Sequence, residues 1–131
     1  MPMTFDIYKY VEAFNRGDDE AAINEYYTPD TIIEGPDRTM HGREAWLQTL
    51  QFIHDGIRER LTPLVVARDG DVILAELDAE FTASKDSPNF LQGPLKAGES
   101  MTLRFFASYR LRDEKIARLA LAWWPYMPNK N

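Results

Sequence analysis

Residues 42–69 read GREAWLQTLQFIHDGIRERLTPLVVARD, and the periodicity changes partway along them. Trp46, Leu50, Ile53 and Ile57 recur at steps of four, three and four, the spacing of one helix face. That pattern predicts a helix opened by Gly42 and running to about Arg60. From Leu61 the period becomes two, so Leu61 to Asp69 reads as a strand. Asp69-Gly70 is a hairpin turn signal, and Val72 to Ser84 is the returning strand. Upstream of the switch the chain is helical apart from one short piece; downstream it alternates. Segregated helices and strands predict an α+β fold with helices packed on an antiparallel sheet.

Upstream, Thr4 is the expected N-cap of a first helix to about Arg16, with Ile7, Tyr10, Val11 and Phe14 on one face. Gly17 ends it. Asp18 caps a second helix to about Tyr27, whose buried side is Ala22, Ile23, Tyr26 and Tyr27. Pro29 stops that helix. Thr31 to Glu34 is a short strand broken at Gly35-Pro36. Downstream, Met101 to Arg112 and Lys115 to Trp124 are two further strands. Lys85 to Ser100, with Pro88, Gly93, Pro94 and Gly98, is long for a hairpin connection. It reads either as a lid over a cavity or as a loose loop, and Lys85, Asp86 and Ser87 favour the loop. The tail after Pro125 is expected to fray.

The late strands are apolar on both faces. One face of 101–111 carries Met101, Leu103, Phe105, Ala107, Tyr109 and Leu111, and the other includes Phe106. On the last strand Leu119, Leu121 and Trp123 oppose Ile116, Ala120, Ala122 and Trp124. A sheet covered by helices on one side shows water its other side. A second apolar face therefore predicts a second cover, and another copy of the chain makes this a homodimer through the sheet. On Val72–Ser84 the two faces differ: Ile73, Ala75, Leu77, Ala79 and Phe81 against Val72, Leu74, Glu76, Asp78 and Glu80. Burial alone turns the apolar set toward the helices.

The chain has 131 residues, one domain's worth, with 15 basic and 21 acidic side chains and a net charge of −6. An acidic chain without a basic stripe is a poor binder of nucleic acid or of an anionic membrane. The absence of cysteine excludes disulfides, Cys-ligated metals and a thiolate nucleophile. The apolar runs are too short to span a bilayer. The first residues show neither a basic region nor an apolar run, so a cytoplasmic location is expected. His41 is a loop histidine or an acid/base; His54, alone on its predicted helix, is expected to be exposed. Their spacing makes no metal motif, no Gly-rich phosphate loop is present, and no cofactor is expected.

Three segments carry a resemblance: Tyr10-Val11-Glu12-Ala13-Phe14-Asn15-Arg16-Gly17-Asp18, Ile23 to Glu34, and His41-Gly42-Arg43-Glu44-Ala45. With the order of elements they resemble the NTF2-like superfamily, in its SnoaL-like and ketosteroid-isomerase-like branch. The resemblance covers nearly the whole chain and implies a cone: a curved sheet wrapped around a long helix, with an apolar interior. In ketosteroid isomerase a carboxylate base faces an oxyanion hole of a tyrosine and a protonated aspartic acid. Segment matching puts the tyrosine on Tyr10 and the base on Glu34. The third position falls on Ala107, which donates no hydrogen bond, so the pattern is incomplete.

The resemblance further implies a ligand lining of Phe14, Tyr26, Trp46, Ile53, Leu74, Asp78, Phe105, Ala107, Arg118 and Trp124. In the family's register Leu74, Glu76 and Asp78 face the cavity, against the burial logic, and Arg118 becomes a partner for the carboxylates. Glu34, if desolvated, is a usable general base. The implied function is cofactor-free isomerase- or cyclase-type chemistry on a small apolar carbonyl compound. The alternatives are a non-catalytic small-molecule binder or a dimeric interaction module.

Overall fold

The computed structural model describes residues 4–90 and 93–124. Three helices pack on one curved, open, six-stranded sheet. The order along the chain is α1 (Ile7–Asn15), α2 (Asp19–Tyr26), β1 (Tyr27–Glu34), β2 (Thr39–His41), α3 (Arg43–Ile53), β3 (Ile57–Asp69), β4 (Val72–Ala83), β5 (Ser100–Arg112) and β6 (Lys115–Trp123). Across the sheet the order is β2-β1-β6-β5-β4-β3. The long strands pair antiparallel as expected, but β1 lies parallel to β6, so the sheet is mixed. The fold is α+β, as the segregation of periods implies.

The first helix is capped by Asp6 rather than Thr4: the Asp6 carboxylate accepts from the Tyr8 amide. Asp18 caps α2 through the Ala21 amide, as the sequence indicates. Gly17 takes a positive φ of 88° between them, a conformation open to glycine at little cost. The second helix runs straight into β1, so the strand begins at Tyr27, four residues before the expected start. Pro29 falls where the β1–β6 register shifts, a place where a missing amide hydrogen is tolerated. The hairpin partner β2 is absent from the sequence reading.

The third helix is shorter than its apolar spacing suggests. It stops at Ile53, His54 caps it, and Gly56 turns the chain with φ 72°. A Cβ on Gly56 would collide with the Lys85 side chain. Ile57 opens β3, so the change of period falls at Ile57 and not at Leu61. The helical spacing of Ile57 is coincidental; the Asp55-Gly56 turn signal outweighs it. This shift puts Ile57, Glu59 and Leu61 on one face of β3, opposite Ala83, Phe81 and Ala79.

That face is the inner one. Ile73, Leu77, Ala79 and Phe81 of β4 are buried beneath the helices, and Leu74 is exposed on the other side. Burial logic prevails over the family's register, because burying four apolar side chains stabilises the fold whereas burying the carboxylates of the other face would cost free energy. On β5, Met101, Leu103, Ala107 and Tyr109 are buried as expected. Ile116 departs from its expected face. A register shift after Arg110 pairs Ile116 with Leu111 and turns it fully inward. Tyr26 is only partly buried, whereas Ala22, Ile23 and Tyr27 are in the core.

The described residues between β4 and β5 fold back on themselves. Ser87 and Leu95 form a bridge, Leu95 is buried, and the Phe90 ring packs 5.2 Å from that of Phe81. Leu95 and Phe90 thus tie this connection to the core, where the sequence favoured a loose loop. The expected fraying after Pro125 lies outside the described residues.

Candidate functional site

Between the helices and the inner face lies a cavity of about 420 Å³. Its walls are mostly aromatic and aliphatic, with Phe14, Trp46, Leu77, Phe81 and Phe105 among them. The exposed Asp37 and Arg38 border its rim. Tyr10, Tyr109 and Glu59 are among the polar side chains that border it, all three largely buried.

Glu59 comes from β3, between the inward Ile57 and Leu61. Asn15, the last residue of α1, holds this edge of the sheet. Its Nδ2 donates to the Leu61 carbonyl at 2.9 Å, and its Oδ1 accepts from the Leu61 amide at 2.8 Å. An unpaired strand edge is thereby satisfied by a side chain next to the carboxylate. The Glu59 side chain is 6% exposed, and its Oε1 lies 2.8 Å from His54 Nε2. Burial raises the Glu59 carboxyl above its ordinary value, and the hydrogen bond and charge of His54 offset this only in part.

Tyr10 rises from the buried face of α1. Its hydroxyl is 2.5 Å from that of Tyr27, and either can donate. Its ring meets those of Tyr27 and Tyr109 edge-on at 5.8 and 5.9 Å. Burial pushes the Tyr10 and Tyr109 phenols well above their ordinary range, and Tyr27 up to about 12. The negative charge of Glu59 adds to all three shifts, a sign that the carboxylate and the phenols feel one another. The phenols therefore stay protonated at neutral pH and serve as donors.

His54 lies between two carboxylates. Its Nδ1 is 2.9 Å from both oxygens of Asp19, the first residue of α2. Burial opposes a charge on this ring, yet the hydrogen bonds and charges of Asp19 and Glu59 outweigh it and raise the imidazole to about 9. The expectation of an exposed His54 fails: its side chain is 14% exposed. The early end of α3 turns the ring toward α2 and β3.

A family model for the SnoaL-like domain matches residues 7–119. The chain belongs to the SnoaL-like family. Solved structures agree on the fold. A candidate polyketide cyclase from Xanthomonas campestris is 27% identical, with a TM-score of 0.74 over 88% of this chain and 84% of that one. IdmH, a candidate polyketide cyclase from Streptomyces antibioticus, is 24% identical, with a TM-score of 0.73 over 89% and 88%. An NTF2-like protein from Burkholderia pseudomallei is 21% identical, with a TM-score of 0.72 over 91% and 88%. No curated protein matches the sequence. No helix among the described residues is long and apolar enough to cross a membrane.

In this SnoaL-like cone five of the residues singled out from sequence border the cavity: Tyr10, Phe14, Trp46, Ile53 and Phe105. Glu34 does not. It pairs in register with Ala120, whose other neighbour is Ser108, and all three point to the outer face. There Arg118 Nε donates to Glu34 Oε1 at 2.6 Å, with both side chains about two-fifths exposed. Glu34 thus lies on the outer face and not in the cavity: the strand's alternation turns Ile33 inward and Glu34 outward.

The same alternation removes Leu74, Asp78 and Arg118 from the cavity. Arg104 on β5 ties Asp78 at 2.7 Å and Glu76 at 2.6 Å across the outer surface. Trp124 is 58% exposed and stacks edge-on to Phe106, 5.7 Å away on that side. Tyr26 packs against Phe5 and Tyr10 without bordering the cavity. Ala107 is buried on the inner face, paired with Ala75 and Leu121, but is not part of the cavity wall. His41 is exposed in β2.

Sequence reasoning missed Glu59 at the cavity and the contacts of His54 with Glu59 and Asp19. The available signal was the alternation Ile57, Glu59, Leu61. With a strand starting at Ile57, it places an acid between two inward apolar residues.

Proposed function

We propose that the cavity is a site of cofactor-free acid/base catalysis, of isomerase or cyclase type, on a small apolar carbonyl compound. The observation that carries this is a buried carboxylate, Glu59, bordering an apolar cavity together with two protonated phenols. Glu59 takes the proton from the carbon beside the carbonyl, and the electron pair of that C–H bond moves to form the enolate. Tyr10 donates to the enolate oxygen. Tyr27 donates to Tyr10, which leaves the Tyr10 proton for the substrate. Tyr109, with no hydrogen-bond partner among the described residues, is the second donor. In an isomerisation the proton returns from Glu59 to another carbon. In a cyclisation the enolate carbon forms a bond to a second carbonyl carbon, and the resulting alkoxide takes the proton back. The likeness to a candidate polyketide cyclase at 27% identity supports the same class.

A volume of about 420 Å³ lies within the usual range for small-molecule sites. The apolar walls suit a ring system or a folded chain, with its carbonyl end toward the phenols. The direct test is α-proton exchange of simple cyclic ketones in deuterated buffer, followed by NMR. Wild-type protein is expected to accelerate exchange and Glu59→Gln to abolish the acceleration. Tight binding of such ketones with no exchange in wild type would replace catalysis by ligand carriage.

The outer face supports an assembly as well. Val65, Leu74, Phe106 and Trp124 are exposed there beside the Arg104–Glu76–Asp78 cluster. Apolar groups mixed with both signs of charge complement themselves about a twofold axis. In this reading a second copy of the chain covers the face. Leu74→Glu is expected to convert a dimer to a monomer in sedimentation velocity, and a monomeric wild type at micromolar concentration would remove the proposal.

A further inference from the structure

Glu59 has its support outside the cavity. His54 closes α3, where the free backbone carbonyls of the helix end favour a cation. Asp19 opens α2, where the free amides favour an anion. The two helix ends thus present matched fields to the pair they carry. The His54 ring touches both sides of the wall. On the outside, His54 and Asp19 border a shallow surface depression with Arg16, Asp18, Glu20 and Gln51. On the inside, Nε2 meets Glu59 at the cavity. Phe14 packs edge-on to the imidazole at 5.7 Å and closes the remaining gap.

We propose that His54 is a positioning residue for the cavity's base: an imidazolium, held from the outer side by Asp19, that aims Glu59 and maintains its charge. The proposal rests on Glu59 being that base. The geometry divides the labour between the two carboxylate oxygens. Nε2–H donates to Oε1, which leaves Oε2 for a cavity occupant. An apolar wall favours the neutral acid form of Glu59, which takes up no proton; an adjacent cation favours the carboxylate, which does. Asp19 faces His54 from α2 and Glu59 faces it from β3. Asp18 and Glu20 add negative charge at the depression, and Arg16 at the end of α1 is the cation among these neighbours. The balance around the ring is acidic, so the imidazole stays protonated at neutral pH, in agreement with its rise to about 9.

His54→Gln retains an N–H for Glu59 and removes the charge. The Glu59 carboxyl carbon is followed by ¹³C NMR against pH in the full chain without substrate. The midpoint is expected to rise by about one pH unit or more in His54→Gln. An unchanged midpoint in a folded variant overturns the assignment. In the ketone-exchange assay the same variant is expected to move the inflection of rate against pH upward by the same amount, with a loss of roughly tenfold at pH below the inflection that recovers as pH rises. A uniform loss with an unmoved inflection would reduce His54 to a structural prop and also overturn the proposal. Asp19→Asn, at the outer depression, is the second variant should His54→Gln not fold. There the ¹⁵N titration of His54 is expected to fall from about 9 toward its ordinary 6.5, and no movement counts against the proposal. If the Glu59 midpoint shifts as stated while no protein exchanges ketone protons at any pH, the positioning stands and the catalytic reading falls.

Discussion

Glu34 and Glu59 are both glutamates on strands, both hydrogen-bonded to a cationic side chain at 2.6–2.8 Å, and both within two residues of a preceding isoleucine, Ile33 and Ile57. Only one borders the cavity. Glu34 shares the outer face with Arg118, both side chains about two-fifths exposed, where water screens the pair. Glu59 is 6% exposed, and burial drives its carboxyl upward. The difference is one of parity along a strand. Each side-chain position lies one step from the opposite environment, so residue type and partner reveal little until the face is known.

The largest expected effect separates the two acids. Glu59→Gln should cost about 10²–10⁴ in any α-proton transfer, the usual worth of a general base. Glu34→Gln should leave the rate unchanged. Ketone exchange measured on both variants decides, and the opposite result would return the base to the outer face. Next is Tyr10→Phe, which removes one oxyanion donor and should cost roughly 10²–10³ while the fold is retained. A loss confined to binding, with turnover intact, would assign Tyr10 to the wall alone.

A smaller effect concerns pH and stability. The His54 imidazole is raised from 6.5 to about 9 in the folded chain, so the stability it contributes is fully present below 6.5 and is lost as pH rises through about 9. Glu59 is also raised, so it too contributes less as pH rises. Urea midpoints should therefore fall between pH 6.5 and about 9, and the fall should flatten in His54→Gln. A midpoint rising over this window would contradict the charge assignment. The smallest effect belongs to the outer pair. Arg118→Ala should change unfolding free energy by no more than about 1 kcal/mol, as for other exposed ion pairs.

The fold was largely legible because amphipathic period is a local property. Helices at 7–15 and 19–26, and strands at 72–83, 100–112 and 115–123, follow from spacing, turn dipeptides and caps. The site was legible only in its aromatic part. Tyr10, Phe14 and Trp46 sit on helix faces that any core must bury. Glu59 was hidden because Ile57 extends the helical spacing of Trp46, Leu50 and Ile53 by one more turn. That accident carried the presumed helix across Asp55-Gly56 and left Glu59 on no particular face. His54 was hidden for the same reason, since a residue in mid-helix gives no sign of the two carboxylates it meets.

The sequence by itself determined the α+β order and the exclusion of thiol chemistry, because hydrophobic spacing and composition act within a few residues. Tertiary structure alone decided which glutamate enters the cavity and brought Asp19, His54 and Glu59 together from α2, the end of α3 and β3. Those contacts depend on where a helix stops and on which strands lie side by side, and sheet pairing across 80 or more residues leaves no local trace.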